Sequence, residues 1–274
     1  MFFSRPPSNQ PKRPIHSLKR TTNTPSPRLI HTNEYGEPDT KSPAQDTREN
    51  LAGALTFLRE KDHGQTDSGP SLSQRFRGGE EVSQEERRRI GIREIRALES
   101  WADRKRLILD SGMFRGTVIN GRPFVGDGSE HTVWGDHHSA RVIKLTHADD
   151  FGNGAVGHSL NVGDYLLGLN GQNRHFQDDI RLEGIVYLDN ELPQVVISQP
   201  FVWGRESTLK EIRTFFTHQG YRESDPGVWS KEQGERVIHV WDAVPYNVFT
   251  AKLPDGSLVT LTIDVQVWTE KAAF

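Results

Sequence analysis

The residues with the clearest chemical potential lie near the end of the chain, where Asp242, Asn247 and Asp264 carry side-chain oxygens. Asp242 and Asn247 are five positions apart, and an apolar run precedes Asp264. Mg²⁺ prefers a few hard oxygen ligands of this kind together with phosphate oxygens. A hairpin that set Asn247 opposite Asp264 would therefore build a magnesium site, with Asp242 one short loop away.

A β-hairpin is predicted between Asn247 and Asp264. Asp255 and Gly256, preceded by Pro254, form a turn signal between two apolar alternations, and Asp-Gly in this setting favours a two-residue hairpin loop. With that loop, Asn247 and Asp264 become register partners at the open end. This register is a specific expectation, because a slip by one residue moves side chains to the other face.

A second candidate group lies near the middle of the chain. Gly126 and Gly128 form a G-x-G turn, in which the backbone can approach a phosphate closely and expose its N–H groups. Lys144 follows in the strand-like stretch VIKL, where an ammonium group is costly unless it meets an anion. Taken singly, these residues also fit a plain strand turn and an exposed strand position. Their order along the chain favours a phosphate-binding site.

Composition limits the kind of protein that carries these groups. The chain has 274 residues and no Cys, so it has no disulfide or thiolate metal site, which fits a cytoplasmic protein. No apolar run approaches the length of about 20 residues that a membrane span needs. We therefore expect no membrane partner.

The N-terminal segment differs from the rest of the chain. Residues 1–30 hold six Lys/Arg and six Pro but no Asp or Glu. A basic, Pro-rich segment poor in large apolar residues cannot bury enough surface to fold. We predict a largely disordered tail over residues 1–80, with the short helical pattern LAGALTFLR at Leu51–Arg59 as a transient exception, and a folded domain over residues 81–274. The tail is interpreted as a solvated linker, with a weak nucleic-acid contact through phosphates as the alternative.

The spacing of apolar residues predicts the helices and strands that must position the candidate groups. Apolar residues at helical spacing predict helices over roughly 84–106, 159–170 and 209–219. Strands are predicted in the stretches VINGRPF, HTVWGD, ARVIKLT, IRLEGIVYL and PQVVISQPFV. The mixture predicts an α+β fold class.

Six stretches resemble the polyvalent protein kinase domain, a kinase-fold family of phage and mobile-element proteins. They are GSEHTVW, ARVIKL, FQDDIRLEGI, SQPFVWG, DAVPYNV and TIDVQV, within residues from about 91 to 270. The resemblance implies a protein-kinase-like two-lobe core that uses ATP and Mg²⁺ to transfer a phosphoryl group. Because ten residues follow Asp264, we expect a reduced C-terminal lobe.

The resemblance also implies roles for individual residues. Asp242 matches the catalytic base, and Lys144 matches the lysine that contacts the α- and β-phosphates. The remaining matches are the metal ligands Asn247 and Asp264, the phosphate-loop residues Gly126 and Gly128, and, in the adenine-facing hinge 199–204, Gln199, Phe201 and Gly204.

Several positions depart from the kinase pattern. His131 replaces the third glycine of the loop, Trp241 replaces the Arg before the catalytic Asp, and Gln266 replaces the Gly of the D-F-G triplet. The acidic partner of the lysine stays open between Asp164 and Glu183.

Three hypotheses about function follow. The first is an ATP- and Mg²⁺-dependent phosphotransferase whose acceptor, a protein or a small molecule, is not defined by the sequence. The second is a non-catalytic kinase-fold module of a mobile element that binds a nucleotide or a partner. The third is a DNA-associated accessory protein that acts through its basic tail.

Overall fold

Thirteen strands and five α-helices make up the part of the chain that the computed structural model describes, residues 43–63, 83–128, 130–136, 140–147, 162–189, 192–253 and 255–271. This mixture confirms the predicted α+β class. Helices α1 to α5 are Pro43–His63, Gln84–Lys105, Ser111–Phe114, Val162–Phe176 and Leu209–His218. A π-helix, Arg115–Ile119, continues α3, and a 3₁₀ turn covers Pro245–Asn247.

The strands form three sheets. Strands β1 to β13 are Ile108–Leu109, Phe124–Asp127, His131–Asp136, Arg141–Thr146, Arg181–Val186, Gln194–Pro200, Gly204–Glu206, Arg222–Asp225, Val228–Gln233, Arg236–Trp241, Val248–Lys252, Leu258–Thr262 and Gln266–Lys271. The first sheet has the order β1-β5-β6-β4-β3-β2, the second β13-β10-β9-β8, and the third β12-β11-β7. The described strand pairs are antiparallel except β1 with β5.

Apolar side chains join these layers in three clusters. Helices α1, α2 and α4 pack on one face of the first sheet, with Leu98 and Leu166 fully buried there. Helix α3 and the π-helix cover the opposite face, where Phe114 is buried. Helix α5 packs on the second sheet, and Phe216 stacks on Trp229 with ring centroids 5.0 Å apart.

Helix α1 corrects the predicted domain boundary. The expectation of a disordered tail over residues 1–80 is wrong for residues 43–63, which belong to the same core as α2 and α4. Leu51, Ala54 and Leu55 are each no more than 5% exposed. The segment is polar on average, but its apolar residues recur at three- and four-residue steps and therefore gather on one helix face. Residues 1–42 and 64–80 lie outside the described residues.

Most of the predicted elements between residues 84 and 219 are confirmed, with one exception. The stretch VINGRPF does not form a strand from its start, because Val118 is buried beneath the first sheet as part of the π-helix. The Asn120 N–H donates to the Arg115 carbonyl at 2.9 Å and closes that turn. Strand β2 begins only at Phe124. The elements that were not predicted are helix α3 and strands β1, β7 to β10 and β13.

The β11–β12 hairpin forms, but its register is shifted by one residue from the prediction. Val248 pairs with Thr262 at the open end. At the closed end the Leu253 N–H donates to the Ser257 carbonyl at 2.8 Å, so the loop is one residue longer than predicted. Gly256 has a φ of 87°, the left-handed conformation that a three-residue hairpin loop uses.

Close packing of α4 against β13 gives a stability prediction. A Cβ atom on Gly171 would lie 2.9 Å from Val267, whereas the nearest atom at Gly168 is 3.9 Å away. We expect Gly171→Ala to lower the free energy of unfolding by about 1–3 kcal/mol through overpacking. Gly168→Ala, the matched control, should raise it by up to about 1 kcal/mol because Ala favours helix. Urea unfolding would measure both, and equal effects would contradict close packing at Gly171.

Candidate functional site

The predicted metal ligand Asp264 lies on a sharp bend between β12 and β13, which we call the 262–264 bend. Three residues from other elements hold its centre. The Ile263 carbonyl accepts hydrogen bonds from Lys144 Nζ at 3.2 Å and from Gln199 Nε2 at 2.9 Å. The Ile263 N–H donates to the Asn247 carbonyl at 3.0 Å. The first sheet and the 3₁₀ turn therefore clamp the bend from two directions.

Lys144 and Asp264 form an ion pair at the centre of the site. Lys144 is 5% exposed on β4, and its Nζ lies 3.1 Å from Asp264 Oδ1. Burial alone would raise the pKa of Asp264, but the charges of Lys144 and His131, with the hydrogen bond from Lys144, lower it below its usual value. The Asp264 side chain is still 40% exposed. It is therefore an ionised carboxylate that a cation or phosphate-bound metal can reach.

Hydrogen bonds join Asp242 to Asn247, the last residue of the 3₁₀ turn. Asn247 Nδ2 donates to Asp242 Oδ2 at 2.8 Å and to the Asp242 carbonyl at 3.0 Å. Because the amide nitrogen is committed to Asp242, the Asn247 side chain would bind a cation through its carbonyl oxygen. The backbone at Asp242 is left-handed, with φ of 58°. Non-glycine residues held in this region are concentrated at functional sites.

The electrostatic environment of Asp242 suits a proton acceptor. Burial raises the pKa of Asp242, the hydrogen bond from Asn247 lowers it, and the charge of Asp264 raises it again, with a net upward shift. A carboxylate with raised proton affinity is a better general base near neutral pH than an ordinary exposed Asp. The effect of Asp264 also places the two carboxylates in one electrostatic neighbourhood.

The predicted register pairing of Asn247 with Asp264 is wrong by one position. Asn247 lies opposite Ile263, as the hydrogen bond between their main chains shows. The two side chains nevertheless belong to one site, because β12 ends at Thr262 and the chain bends immediately afterwards. The bend, rather than the strand pairing of β11 with β12, therefore brings Asp264 to the same site as Asn247.

The predicted phosphate loop is a tight turn between β2 and β3. The Gly128 N–H donates to the His131 carbonyl at 2.9 Å and closes the turn. Gly126 faces open space, since a Cβ atom there would meet nothing within 4 Å. His131, which replaces the third glycine, is 4% exposed, and its Nε2 lies 2.9 Å from the Tyr165 hydroxyl on α4. The loop is therefore tied to α4 by a side chain.

The same loop brings a second carboxylate to the site. Ligand atoms of Glu130, His131 and Asp264 all lie within 4.8 Å of one another, a grouping that could hold a metal ion. Gln266 Nε2 donates to Glu130 Oε1 at 3.1 Å, so this departure from the kinase pattern contacts the loop. Sequence reasoning missed Glu130, because only the fold brings it next to Asp264.

The acidic partner of Lys144 is Asp264 itself. Of the two candidates left open by the sequence, Glu183 is excluded. It accepts a hydrogen bond from Ser198 Oγ, and Ser198 alternates along β6 with Ile197, the register partner of Lys144. Glu183 therefore lies on the opposite face of the sheet. Asp164 lies in the first turn of α4.

The predicted hinge residues have different environments. Gln199 is 5% exposed, and its side-chain amide donates to the Ile263 carbonyl on the 262–264 bend. The ring centroids of Phe201 and Trp203 are 4.5 Å apart. Trp203 is 67% exposed. Gly204 permits close approach of β7 to β11, since a Cβ atom there would lie 2.7 Å from the Thr250 carbonyl oxygen. This segment thus combines one structural glycine with an aromatic pair of which Trp203 is exposed and Phe201 is half-buried.

Comparison of the chain with models of protein families, with curated proteins and with solved structures finds no match. Among the described residues, no helix has both the length and the apolar character that crossing a membrane requires. Function is therefore inferred from the residues and their geometry.

Proposed function

We propose that the chain is an ATP- and Mg²⁺-dependent phosphotransferase of protein-kinase-like fold. The observation that carries the proposal is the convergence of four residues selected from the sequence for separate reasons. Lys144 Nζ lies 3.1 Å from Asp264 Oδ1, and Asn247 Nδ2 lies 2.8 Å from Asp242 Oδ2. The N–H of Ile263, the residue before Asp264, donates to the Asn247 carbonyl at 3.0 Å and joins the two pairs. Two ion-pairing groups and two groups of a D-x-x-x-x-N loop share one site.

The order of the elements supports the proposal. A glycine-containing turn joins β2 to β3, Lys144 lies on the next strand, and helix α4 follows. Asp242 and Asn247 come before the β11–β12 hairpin, and Asp264 comes directly after it. Protein kinases use a Gly-rich loop, a lysine on the third strand, a catalytic-loop Asp and Asn, and a metal-binding Asp in this order.

Each of the four residues has a physical role in the proposed reaction. The Lys144 ammonium would hold phosphate oxygens, and Asp264 with Asn247 would hold Mg²⁺. These ligands fit the ion, because Asp264 is ionised and partly exposed and both offer hard oxygens. Bound Mg²⁺ would neutralise phosphate charge. Asp242 would orient the acceptor hydroxyl and accept its proton.

The remaining predicted residues complete the proposed nucleotide site. Gly126 and Gly128 would cover the phosphates, and the 199–204 hinge would face adenine, with Phe201 as the aromatic surface. Phosphoryl transfer depends mostly on positioning and charge stabilisation, and the clamped 262–264 bend supports both.

Mg²⁺-dependent ATP binding tests the proposal. A ligand at 100 times its Kd stabilises a protein by about 2.7 kcal/mol, which corresponds to a rise of roughly 5–10 °C in Tm for a domain of this size. We expect this rise with millimolar MgATP and a smaller one with ATP and EDTA. Asp264→Asn should abolish the difference, whereas Asp255→Asn, at the exposed turn of the same hairpin, should retain it. No shift of the wild-type Tm with MgATP would exclude the nucleotide site.

A non-catalytic kinase-fold module that binds a nucleotide or a partner is the second candidate, and the Glu130 carboxylate favours the partner-binding form. This group lies in the phosphate loop near Asp264, where a triphosphate would bring further negative charge. Binding of MgATP without turnover on any acceptor would support this candidate. The contact of the basic tail with nucleic acid lies outside the described residues and stays a prediction.

A further inference from the structure

We propose that Asp178 is a positioning residue for the site, and that it acts by holding the 262–264 bend through the hydroxyl of Thr262. The proposal rests on the function proposed above, since the group that is positioned is the metal ligand Asp264. Thr262 Oγ1 lies 2.9 Å from each carboxylate oxygen of Asp178. Thr262 is 4% exposed and stands two positions before Asp264.

The clamp on the bend would be incomplete without this contact. The side chains of Lys144 and Gln199 both donate to the Ile263 carbonyl, at the centre of the bend. Asp178 holds the end of β12 at Thr262, from the segment between α4 and β5. The approach of Asp264 to Lys144 is therefore fixed on both sides of Ile263.

The neighbouring acid, Asp179, serves a different part of the molecule. Its carboxylate pairs with Arg141 at 2.9 Å and with Arg181 at 2.8 Å. The backbone is left-handed at Gln177, with φ of 58°, and at Asp179, with φ of 50°. Left-handed residues cost roughly 1–2 kcal/mol each relative to right-handed ones. This backbone strain lies in the segment 177–179, where the carboxylates of Asp178 and Asp179 contact different partners.

The ionisation of Asp178 agrees with a functional position. Burial raises the pKa of Asp178 to about 7, although the hydrogen bond from Thr262 and the charge of Lys144 lower it, and the charge of Asp264 adds to the rise. A half-buried carboxyl group with a strongly shifted pKa beside specific charged partners fits a functional site.

Groups that orient a metal ligand without touching the metal typically contribute 10- to 100-fold to metal affinity or activity. The expected signature is a loss of the Mg²⁺-dependent part of ATP binding. Affinity for ATP without metal should change little, because Lys144 keeps its place on β4.

The test is calorimetric titration of ATP, with and without Mg²⁺, into the full chain and its variants. Thr262→Val removes the hydroxyl at nearly constant volume and should reduce the Mg²⁺-dependent gain in affinity by about 10-fold or more. Thr262→Ser, which keeps the hydroxyl, should restore the gain. Thr250→Val is the matched control, because Thr250 is also buried in this hairpin and bonds Ser207 at 2.8 Å. It should keep the full gain.

The outcomes separate this inference from the proposed function. Loss in Thr262→Val with rescue in Thr262→Ser supports the positioning role, and Asp178→Ala should then add nothing further to Thr262→Val. A full Mg²⁺-dependent gain in Thr262→Val overturns the inference while leaving the proposed function intact. Equal losses in Thr262→Val and Thr250→Val also overturn it, since the effect would then be general destabilisation. A wild type that does not bind MgATP overturns both.

Discussion

Asp242→Asn is expected to reduce phosphotransfer, or ATP hydrolysis when no acceptor is known, by at least about 100-fold, the usual contribution of a general base. MgATP affinity should stay within a few-fold of wild type. The substitution is nearly isosteric, and Asn tolerates the left-handed backbone of this position. The Asn side chain also keeps an oxygen that can accept the hydrogen bond from Asn247. Single-turnover kinetics with labelled ATP would measure the effect separately from binding.

Lys144→Met serves as the control for Asp242→Asn, because it should weaken nucleotide binding, which Asp242→Asn should leave nearly unchanged. It removes the ammonium that would hold the phosphates and leaves Asp242 with its Asn247 contact. Nucleotide affinity should therefore fall, whereas in Asp242→Asn it should not. Wild-type turnover in Asp242→Asn would show that Asp242 is not the base and that the D-x-x-x-x-N assignment is incorrect.

Deletion of residues 1–63 is expected to abolish cooperative folding. The deletion removes α1 with Leu51, Leu55 and Leu58, each no more than 8% exposed. Full burial of one such side chain contributes about 1.5–3 kcal/mol. The three together contribute several kcal/mol, a large part of the 5–15 kcal/mol that typically stabilises a domain. Urea unfolding and near-UV circular dichroism would measure the loss.

Deletion of residues 1–42 is the matched control, because it keeps α1. We expect this variant to unfold at the same urea concentration as the full chain, since a basic, Pro-rich segment supplies little core. Limited proteolysis should accordingly leave a resistant fragment that begins near Pro43. If the chain without residues 1–63 unfolds like the full chain, the packing of α1 contributes little to stability.

The elements that were predicted correctly are those whose signal is local. Helices α2 and α5 and strands β3 to β6 show their hydrophobic period within their own sequence. The helical pattern at Leu51–Arg59 within α1 was interpreted as transient, because the average composition of its segment is polar and its partners are distant. Asn50, for example, donates to the Leu182 carbonyl across more than a hundred residues, at 3.3 Å.

The register of the β11–β12 hairpin shows a different limit. Asp255 and Gly256 were interpreted as a two-residue loop, but a glycine with positive φ also suits the last position of a three-residue loop. The sequence contains the turn signal, while the choice between the two loops depends on how the strand ends pack. Because the chain bends at Asp264, its side chain reaches the site of Asn247 although the register is shifted by one residue.

The residues of the candidate site also fall into two groups, those that the sequence identifies and those that only the fold reveals. Asp242, Asn247, Asp264 and Lys144 could be selected in advance because their types and spacing carry chemical meaning by themselves. Glu130, Asp178 and Thr262 could not, since their importance comes from contacts that only the tertiary structure creates. Asp178 left one local sign, two consecutive acids directly before the apolar stretch of β5.

The chain enters β13 two residues after Asp264, and this strand makes six register pairs with β10. Its Val267 also fills the space above Gly171 on α4. The backbone that carries the proposed metal ligand is therefore anchored by β13, and moving the 262–264 bend away from Lys144 requires separating a strand from its sheet. Such a local opening is rare when the strand is paired and buried. The site is consequently poised in the resting molecule, and the supply of ligand and acceptor, rather than ordering of this segment, would set when it acts.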